Sequence, residues 1–334
     1  MSLHTLKYCP GTLAAGYETY SPSLLRKMFG GKTVSHVLNF SSPGKDENTL
    51  ADFLDNVKRI SLSGFQGKQS MLLDKKKVRL TKAGEQGTYI LKPVPSSLKN
   101  RWDVPANEHL TMQVARQVYG LQTAENALVF FKDGEAAYLT KRFDMRDTAT
   151  GMKWGQEDFA SLAGKTTMNS SDKYQYSYEE AAALLRQYVP AWRVEVEKYF
   201  SLVVFNFLFS NGDAHLKNFS LLETENGDYL LSPAYDLLNT RLHVDDSDFA
   251  LERGLFADEY KSATYKRSGH PCKADFVEFA KRVGVTESRV EKLLTPFLER
   301  QPFMETLVER SFLKKENKRG YLMRYNQKRN FLLR

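Results

Sequence analysis

Between Ser70 and Lys92 the apolar residues fall in short runs, Met71-Leu72-Leu73, Val78-Arg79-Leu80 and Tyr89-Ile90-Leu91, broken by charged or glycine-bearing turns. Runs of that length between turn residues predict an antiparallel meander, with Asp74-Lys75-Lys76-Lys77 as one of its turns. From Pro105 the period lengthens. Met112, Val114, Ala115 and Val118 precede Gly120, which predicts a helix with a glycine stop. Strands are expected again from Ala127 to Phe131 and from Ala136 to Arg142, joined by the turn Lys132-Asp133-Gly134. After Gly151 the pattern becomes helical, with strongly periodic segments from Tyr178 to Tyr188 and from Arg193 to Phe209. Residues 1 to about 50 read as irregular, with one short helix opening at Ser21-Pro22-Ser23-Leu24.

These elements predict an α+β protein of two lobes: an irregular N-terminal extension over 1–50, a β-rich N-lobe over 51–145 and a mostly helical C-lobe over 146–334. No internal repeat or low-complexity linker interrupts them. With 334 residues and 42% hydrophobic content the chain can bury one large core or two modest ones. No run of eighteen apolar residues suggests a spanning helix, and Met1-Ser2-Leu3-His4 does not open a secretory signal, so a cytoplasmic location without membrane attachment is expected. Cys9 and Cys272 lack disulfide or metal spacing and are expected to be ordinary thiols. The net charge of +8 is concentrated in Lys314-Lys315-Glu316-Asn317-Lys318-Arg319 and in Arg324 to Arg334. Such a run can bind nucleic acid, but it is more commonly a solvated helix end.

The candidate chemistry sits where the long helix stops, at Asn211-Gly212-Asp213-Ala214-His215-Leu216-Lys217-Asn218. Beyond it, strands from Phe219 and from Tyr229 flank the hairpin signal Glu225-Asn226-Gly227-Asp228, and Asp236 follows the second strand. An Asp, four intervening positions, an Asn, a hairpin and a second Asp follow the order of a phosphoryl-transfer site. Asp213 can orient or deprotonate a hydroxyl, while Asn218 and Asp236 can hold magnesium ions. The literal His-Arg-Asp and Asp-Phe-Gly triplets are absent. Taken singly, each residue also suits a helix cap or a turn. Lys92 ends an alternating strand as a phosphate-contacting lysine would. Ser61-Leu62-Ser63-Gly64-Phe65-Gln66-Gly67-Lys68 has the glycines, hydroxyls and cation of a phosphate loop, or of a plain hairpin turn.

The segments Ser61-x-Ser63-Gly64-x-Gln66-x-Lys68, Ile90-Leu91-Lys92-Pro93, Asn107-Glu108-His109, Lys141-Arg142-Phe143-Asp144, Gln156-Glu157-Asp158, Asp213-x-His215-x-x-Asn218-Phe219 and Ser232-Pro233-x-Tyr235-Asp236 together resemble the HipA-type serine/threonine kinases, toxins of bacterial toxin–antitoxin modules. The resemblance runs from about Arg59 to at least Asn239. It implies a bilobed, protein-kinase-like fold, ATP and Mg2+ as cofactors, Asp213 as the catalytic residue, Asn218 and Asp236 as magnesium ligands, and Lys68 and Lys92 on the phosphates. It further implies Phe143 at the hinge beside adenine, with Gln156, His215 and Tyr235 near the nucleotide. Ser61 and Ser63 would be autophosphorylation sites, and a phosphate there would oppose nucleotide binding by charge repulsion.

With about sixty residues before Ser61, the chain most resembles the short HipT-type toxins. That likeness implies a small HipS-like antitoxin, a HipB-like DNA-binding antitoxin giving indirect contact with DNA, and an aminoacyl-tRNA synthetase as the protein substrate. Lys141 stands where some relatives have Glu, which bears on hinge contacts made by that side chain. The alternatives are a secreted effector kinase, a small-molecule kinase and a pseudokinase or DNA-associated corepressor.

Overall fold

The computed structural model describes residues 6–43, 67–165 and 171–334. The chain divides into two compact units: one from residues 1–113, 124–153 and 306–318, the other from 114–123, 154–305 and 319–334.

The first unit is built on a five-stranded antiparallel sheet in the order β2-β1-β3-β5-β4. Its strands are β1 (Gln69–Asp74), β2 (Lys77–Leu80), β3 (Tyr89–Lys92), β4 (Asn126–Phe130) and β5 (Ala136–Lys141). The expected charged turn joins β1 to β2, and Gly134, at φ 90°, closes the β4–β5 hairpin, where Phe131 N–H donates to Glu135 O at 2.8 Å. Helix α1 (Pro22–Phe29) starts where the sequence expects it. The Ser21 hydroxyl accepts from Leu24 N–H at 3.3 Å, Pro22 occupies the first turn, and Gly30 in the left-handed region stops the helix.

The N-terminal segment, irregular apart from α1, supplies Tyr20, Leu24, Met28, Phe29, Val34 and Leu38 to the sheet's core, against Met71, Tyr89, Leu91, Val129 and Leu139. Each such burial stabilises by roughly 1.5–3 kcal/mol before entropy is counted, so this segment is integral to the unit. Tyr20 donates to Leu128 O and Tyr89 to Met28 O, which satisfies the polar ends of two buried rings.

The second unit surrounds α4 (Trp192–Leu208), whose residues from Tyr199 to Leu208 are buried all round, as suits a nearly uniformly apolar helix. Against it packs α3 (Tyr178–Tyr188), opened by a complete capping box between Ser177 and Glu180. Aromatic rings fill the interior: Phe205 stacks on Phe209 at 4.4 Å, and Phe219 meets Tyr199 edge-on at 5.3 Å. The helices α5 (Ala263–Ser268), α6 (Lys273–Val283), α7 (Glu287–Leu298), α8 (Pro302–Arg310) and α9 (Lys315–Leu332) follow towards the C-terminus.

The stretch after Gly151, expected to turn directly helical, first forms strands. β6 (Met145–Asp147) pairs with β7 (Met152–Lys153), while β8 (Gln156–Asp158) joins β9 (Ser220–Glu223) and β10 (Tyr229–Leu231) in a sheet of order β10-β9-β8. Strands of two or three residues are too short to show a two-residue period. Helix α2 (Val104–Gln117), between β3 and β4 in the chain, begins one residue before the expected Pro105.

Candidate active site

In the first unit, β3 carries Lys92 at its last position, opposite Tyr138 in the ladder with β5. Its ammonium lies 2.6 Å from Glu108 Oε1 on α2 and 5.4 Å from the Tyr138 ring centroid. Both charged side chains are almost fully buried, at 5% and 2% exposure. Such a pair adds little net stability, because desolvation offsets the attraction, but it holds both groups in one geometry. A strand lysine paired with a helix glutamate is the arrangement that organises the phosphate-contacting lysine in protein kinases. No motif of the sequence by itself singles out Glu108. A glutamate early in the helix that follows the lysine strand was the available signal.

Phe143 follows β5 and is half-buried between the partners of an ion pair, Arg142 and Asp144, which meet at 2.5 and 2.9 Å. Arg142 N–H donates to Thr88 O, fixing the backbone just before Phe143. The Lys141 ammonium donates to Lys27 O at 3.2 Å. Lys68 immediately precedes β1 and is half-buried. Ser61 and Ser63 lie outside the described residues.

The other candidates belong to the second unit, where the end of α4 aims the loop 211–218. Asn211 Nδ2 donates to Asn206 Oδ1 at 2.9 Å and reaches Asp236 O at 3.4 Å, linking the helix end to the later Asp. Gly212 N–H donates to Thr240 Oγ1, whose hydroxyl donates to Ser210 O, both at 2.9 Å. A Cβ at Gly212 would stand 2.4 Å from the Asp246 Cβ, so this position demands glycine. Ser210 and Asp236 both hold left-handed backbone, at φ 54° and 55°, unusual for residues with side chains. Strain of this kind persists only where neighbours fix it, and it concentrates at functional sites.

The Asp213 carboxylate is half exposed and accepts from the Tyr174 hydroxyl at 2.9 Å. Asn218 Nδ2 donates to Asp213 O at 2.7 Å, which keeps its Oδ1 for another partner. His215 is buried, its Nε2 2.8 Å from the Lys173 ammonium and 3.7 Å from Asp213 Oδ1. Burial, and then Lys173, pushes its pKa down to about 3, so the imidazole is neutral at physiological pH and accepts from Lys173 through Nε2. Gln156 donates to Ser220 Oγ at 3.1 Å, Ser220 meets the Tyr235 hydroxyl, and that hydroxyl donates to Lys217 O at 2.9 Å. Burial raises the Tyr235 pKa, which keeps the phenol protonated as a donor. This unit therefore brings Gln156, Asp213, His215, Asn218, Tyr235 and Asp236 into one hydrogen-bonded region. Lys173 and Tyr174 join them from a separate turn that no loop motif contains.

Asn218 and Asp236 provide hard oxygen donors, the type magnesium takes. Among the described residues no three His, Cys, Asp or Glu side chains converge as a metal cage. Magnesium held beside phosphates needs only one or two protein carboxylates. A cavity of about 590 Å³ elsewhere in this unit is lined by residues such as Arg241, Asp248, Tyr260 and His270 and by none of the candidates.

The sheet-rich and helix-rich units place the chain in the kinase-like α+β class, with two solved structures showing the same fold. The HipA of the Shewanella oneidensis MR-1 HipA, HipB and operator DNA complex aligns with a TM-score of 0.61 at 20% identity, over 81% of this chain and 63% of that one. The Helicobacter pylori proinflammatory kinase CtkA aligns at 0.51 and 14% identity, over 79% of this chain and 93% of that one. The profile of the HipA-like C-terminal domain matches residues 60–302, and the chain belongs to that family. A Haemophilus influenzae protein named "Putative kinase" is 28% identical over 76% of both chains. "Putative kinase Y4dM" of Sinorhizobium fredii is 32% identical over 67% of this chain and 56% of its own length.

Proposed function

We propose that the chain is an ATP- and magnesium-dependent serine/threonine protein kinase acting as the toxin of a toxin–antitoxin module. The observation that carries this reading is the braced set of Asp213, Asn218 and Asp236, each placed by its own hydrogen bonds at the end of α4. Asp213 orients the acceptor hydroxyl and takes its proton as the oxygen attacks the γ-phosphorus and the bond to ADP breaks. Asn218 and Asp236 would hold the magnesium ion, which when bound neutralises charge on the phosphates. Lys92, fixed by Glu108, and Lys68 contact phosphate oxygens. Phe143, Gln156, His215 and Tyr235 complete the nucleotide contacts.

The family and the kinase names of its relatives support this reading. The HipA–HipB–operator assembly supports a HipB-like antitoxin, and through it DNA, as a partner. A HipS-like antitoxin, an aminoacyl-tRNA synthetase as substrate and inhibitory autophosphorylation at Ser61 or Ser63 extend the proposal, as does a cytoplasmic site of action. No described helix is long and apolar enough to cross a membrane.

The test is incubation with γ-labelled ATP and magnesium, followed by peptide mass spectrometry. Label on serine or threonine in the wild type, falling at least about 1,000-fold in Asp213→Asn while nucleotide still binds, is the expected result. Equal labelling of both proteins would overturn the assignment of Asp213.

A further inference from the structure

We propose that Lys173 is a further residue of the transfer site, its ammonium contacting the phosphoryl group as it passes to the acceptor. This rests on the kinase reading and assigns that site a cation which neither the loop motif nor the strand lysine supplies.

Lys173 lies in a 3-10 turn, Asp172–Tyr174, forty residues before Asp213 in the chain. That turn meets the candidate site through two adjacent side chains. The Tyr174 hydroxyl donates to Asp213 Oδ1 at 2.9 Å, and Lys173 Nζ lies 2.8 Å from His215 Nε2. From the other side, Glu252 N–H donates to Tyr174 O at 2.9 Å and Arg253 N–H to Tyr176 O at 3.3 Å, so the turn is anchored within its own unit. The Tyr174 ring meets the His215 ring edge-on at 5.2 Å, and the Lys173 ammonium lies 4.9 Å from the Tyr174 centroid. Lys173, Tyr174, Asp213 and His215 therefore form one packed cluster.

The charges explain why such a cation is needed. The acceptor hydroxyl must approach Asp213, and a carboxylate there repels the oxygens of the incoming phosphoryl group. His215, two residues along the loop, is neutral and offers no compensating charge. Lys217 also lies on this loop, but Lys173 is the cation within hydrogen-bond distance of the imidazole. An ammonium has three donors, so the bond to His215 does not by itself bar a contact with a phosphoryl oxygen. A charge fixed beforehand, where negative charge moves during transfer, stabilises the transition state more than the bound nucleotide.

The experiment uses the phosphatase-treated full chain with Lys173→Met, Lys173→Arg and, for comparison, Lys217→Met. Single-turnover transfer from labelled Mg-ATP is measured beside calorimetric binding of Mg-ADP and of Mg-ADP with aluminium fluoride, a mimic of the transferring group. For Lys173→Met, transfer should fall about 100-fold or more. Its affinity for Mg-ADP should stay within about threefold, while the added affinity given by aluminium fluoride is lost. Lys173→Arg should recover part of both properties, and Lys217→Met should keep the aluminium fluoride gain.

A Lys173→Met protein that transfers at the wild-type rate overturns the inference and leaves the kinase reading standing. Equal losses of ADP affinity and transfer also overturn it, since they mark a structural role. A wild type that neither transfers nor binds Mg-ATP removes the kinase reading and this inference together.

Discussion

At the scale of single residues, burial decides what the charged and titratable groups can do. Lys92 and Glu108 are each nearly inaccessible, so removing one partner's charge leaves the other buried without compensation. We expect Glu108→Ala to lower the unfolding free energy by about 3–5 kcal/mol and to weaken ATP binding. A urea unfolding curve superimposable on the wild type would contradict the buried pair.

His109 gives a pH prediction. Burial pushes its pKa down to about 4, with Nε2 held on Gly11 O at 3.1 Å. The folded state thus prefers neutral imidazole, while the unfolded chain protonates near pH 6.5. Its contribution is complete above about pH 6.5 and declines as pH falls towards 4, by roughly 1.4 kcal/mol per pH unit. Unfolding measured from pH 7 to 4 should show that slope, and His109→Gln should flatten it. An unchanged slope in the variant would assign the acid sensitivity to other groups.

At the scale of elements, the important feature is how a helix end is converted into a rigid loop. α4 stops at Leu208, Ser210 turns left-handed, and the Gly212 and Thr240 backbone and side-chain contacts hold the next residues. Gly212→Ala should force the loop off Asp246 and reduce transfer about 100-fold, with a smaller loss of stability than of activity. Adding Asp246→Gly removes the atom in conflict and should restore part of the rate. Full activity in Gly212→Ala alone would show that the loop tolerates displacement.

The hairpin β9–β10 is held by the same helix, since buried Glu195 accepts from Leu231 N–H at 3.0 Å and from Lys198 at 2.7 Å. A polar residue inside the apolar surface of α4 thereby fixes the strand that precedes Tyr235 and Asp236.

At the scale of the whole molecule, part of the basic C-terminal run is used for structure. Lys328 is buried against Asp248 at 2.6 Å, with its pKa lowered to about 8 by burial, while Arg329 donates to Leu298 O and Lys318 to Glu309 O. The excess charge seen in sequence is therefore not a continuous exposed stripe. A global ligand test is also available. Mg-ATP at 100 times its Kd should stabilise the chain by about 2.7 kcal/mol, raising Tm by several degrees. Omitting magnesium should remove most of the rise, and no rise with Mg-ATP would sink the nucleotide proposal.

The order helix, loop, hairpin and Asp is local along the chain, so periodicity, the Asn211-Gly212 stop and the Asn226-Gly227 turn made it legible without a structure. The strands β1 to β5 and the start of α1 were legible for the same reason. The short strand β8 was not, because three residues carry no period. The N-terminal segment's place in the sheet's core, the Lys92–Glu108 pair and the meeting of Lys173 and Tyr174 with His215 and Asp213 were decided only by tertiary structure. Each depends on residues far apart in sequence coming within bonding distance, and no local spacing encodes that approach.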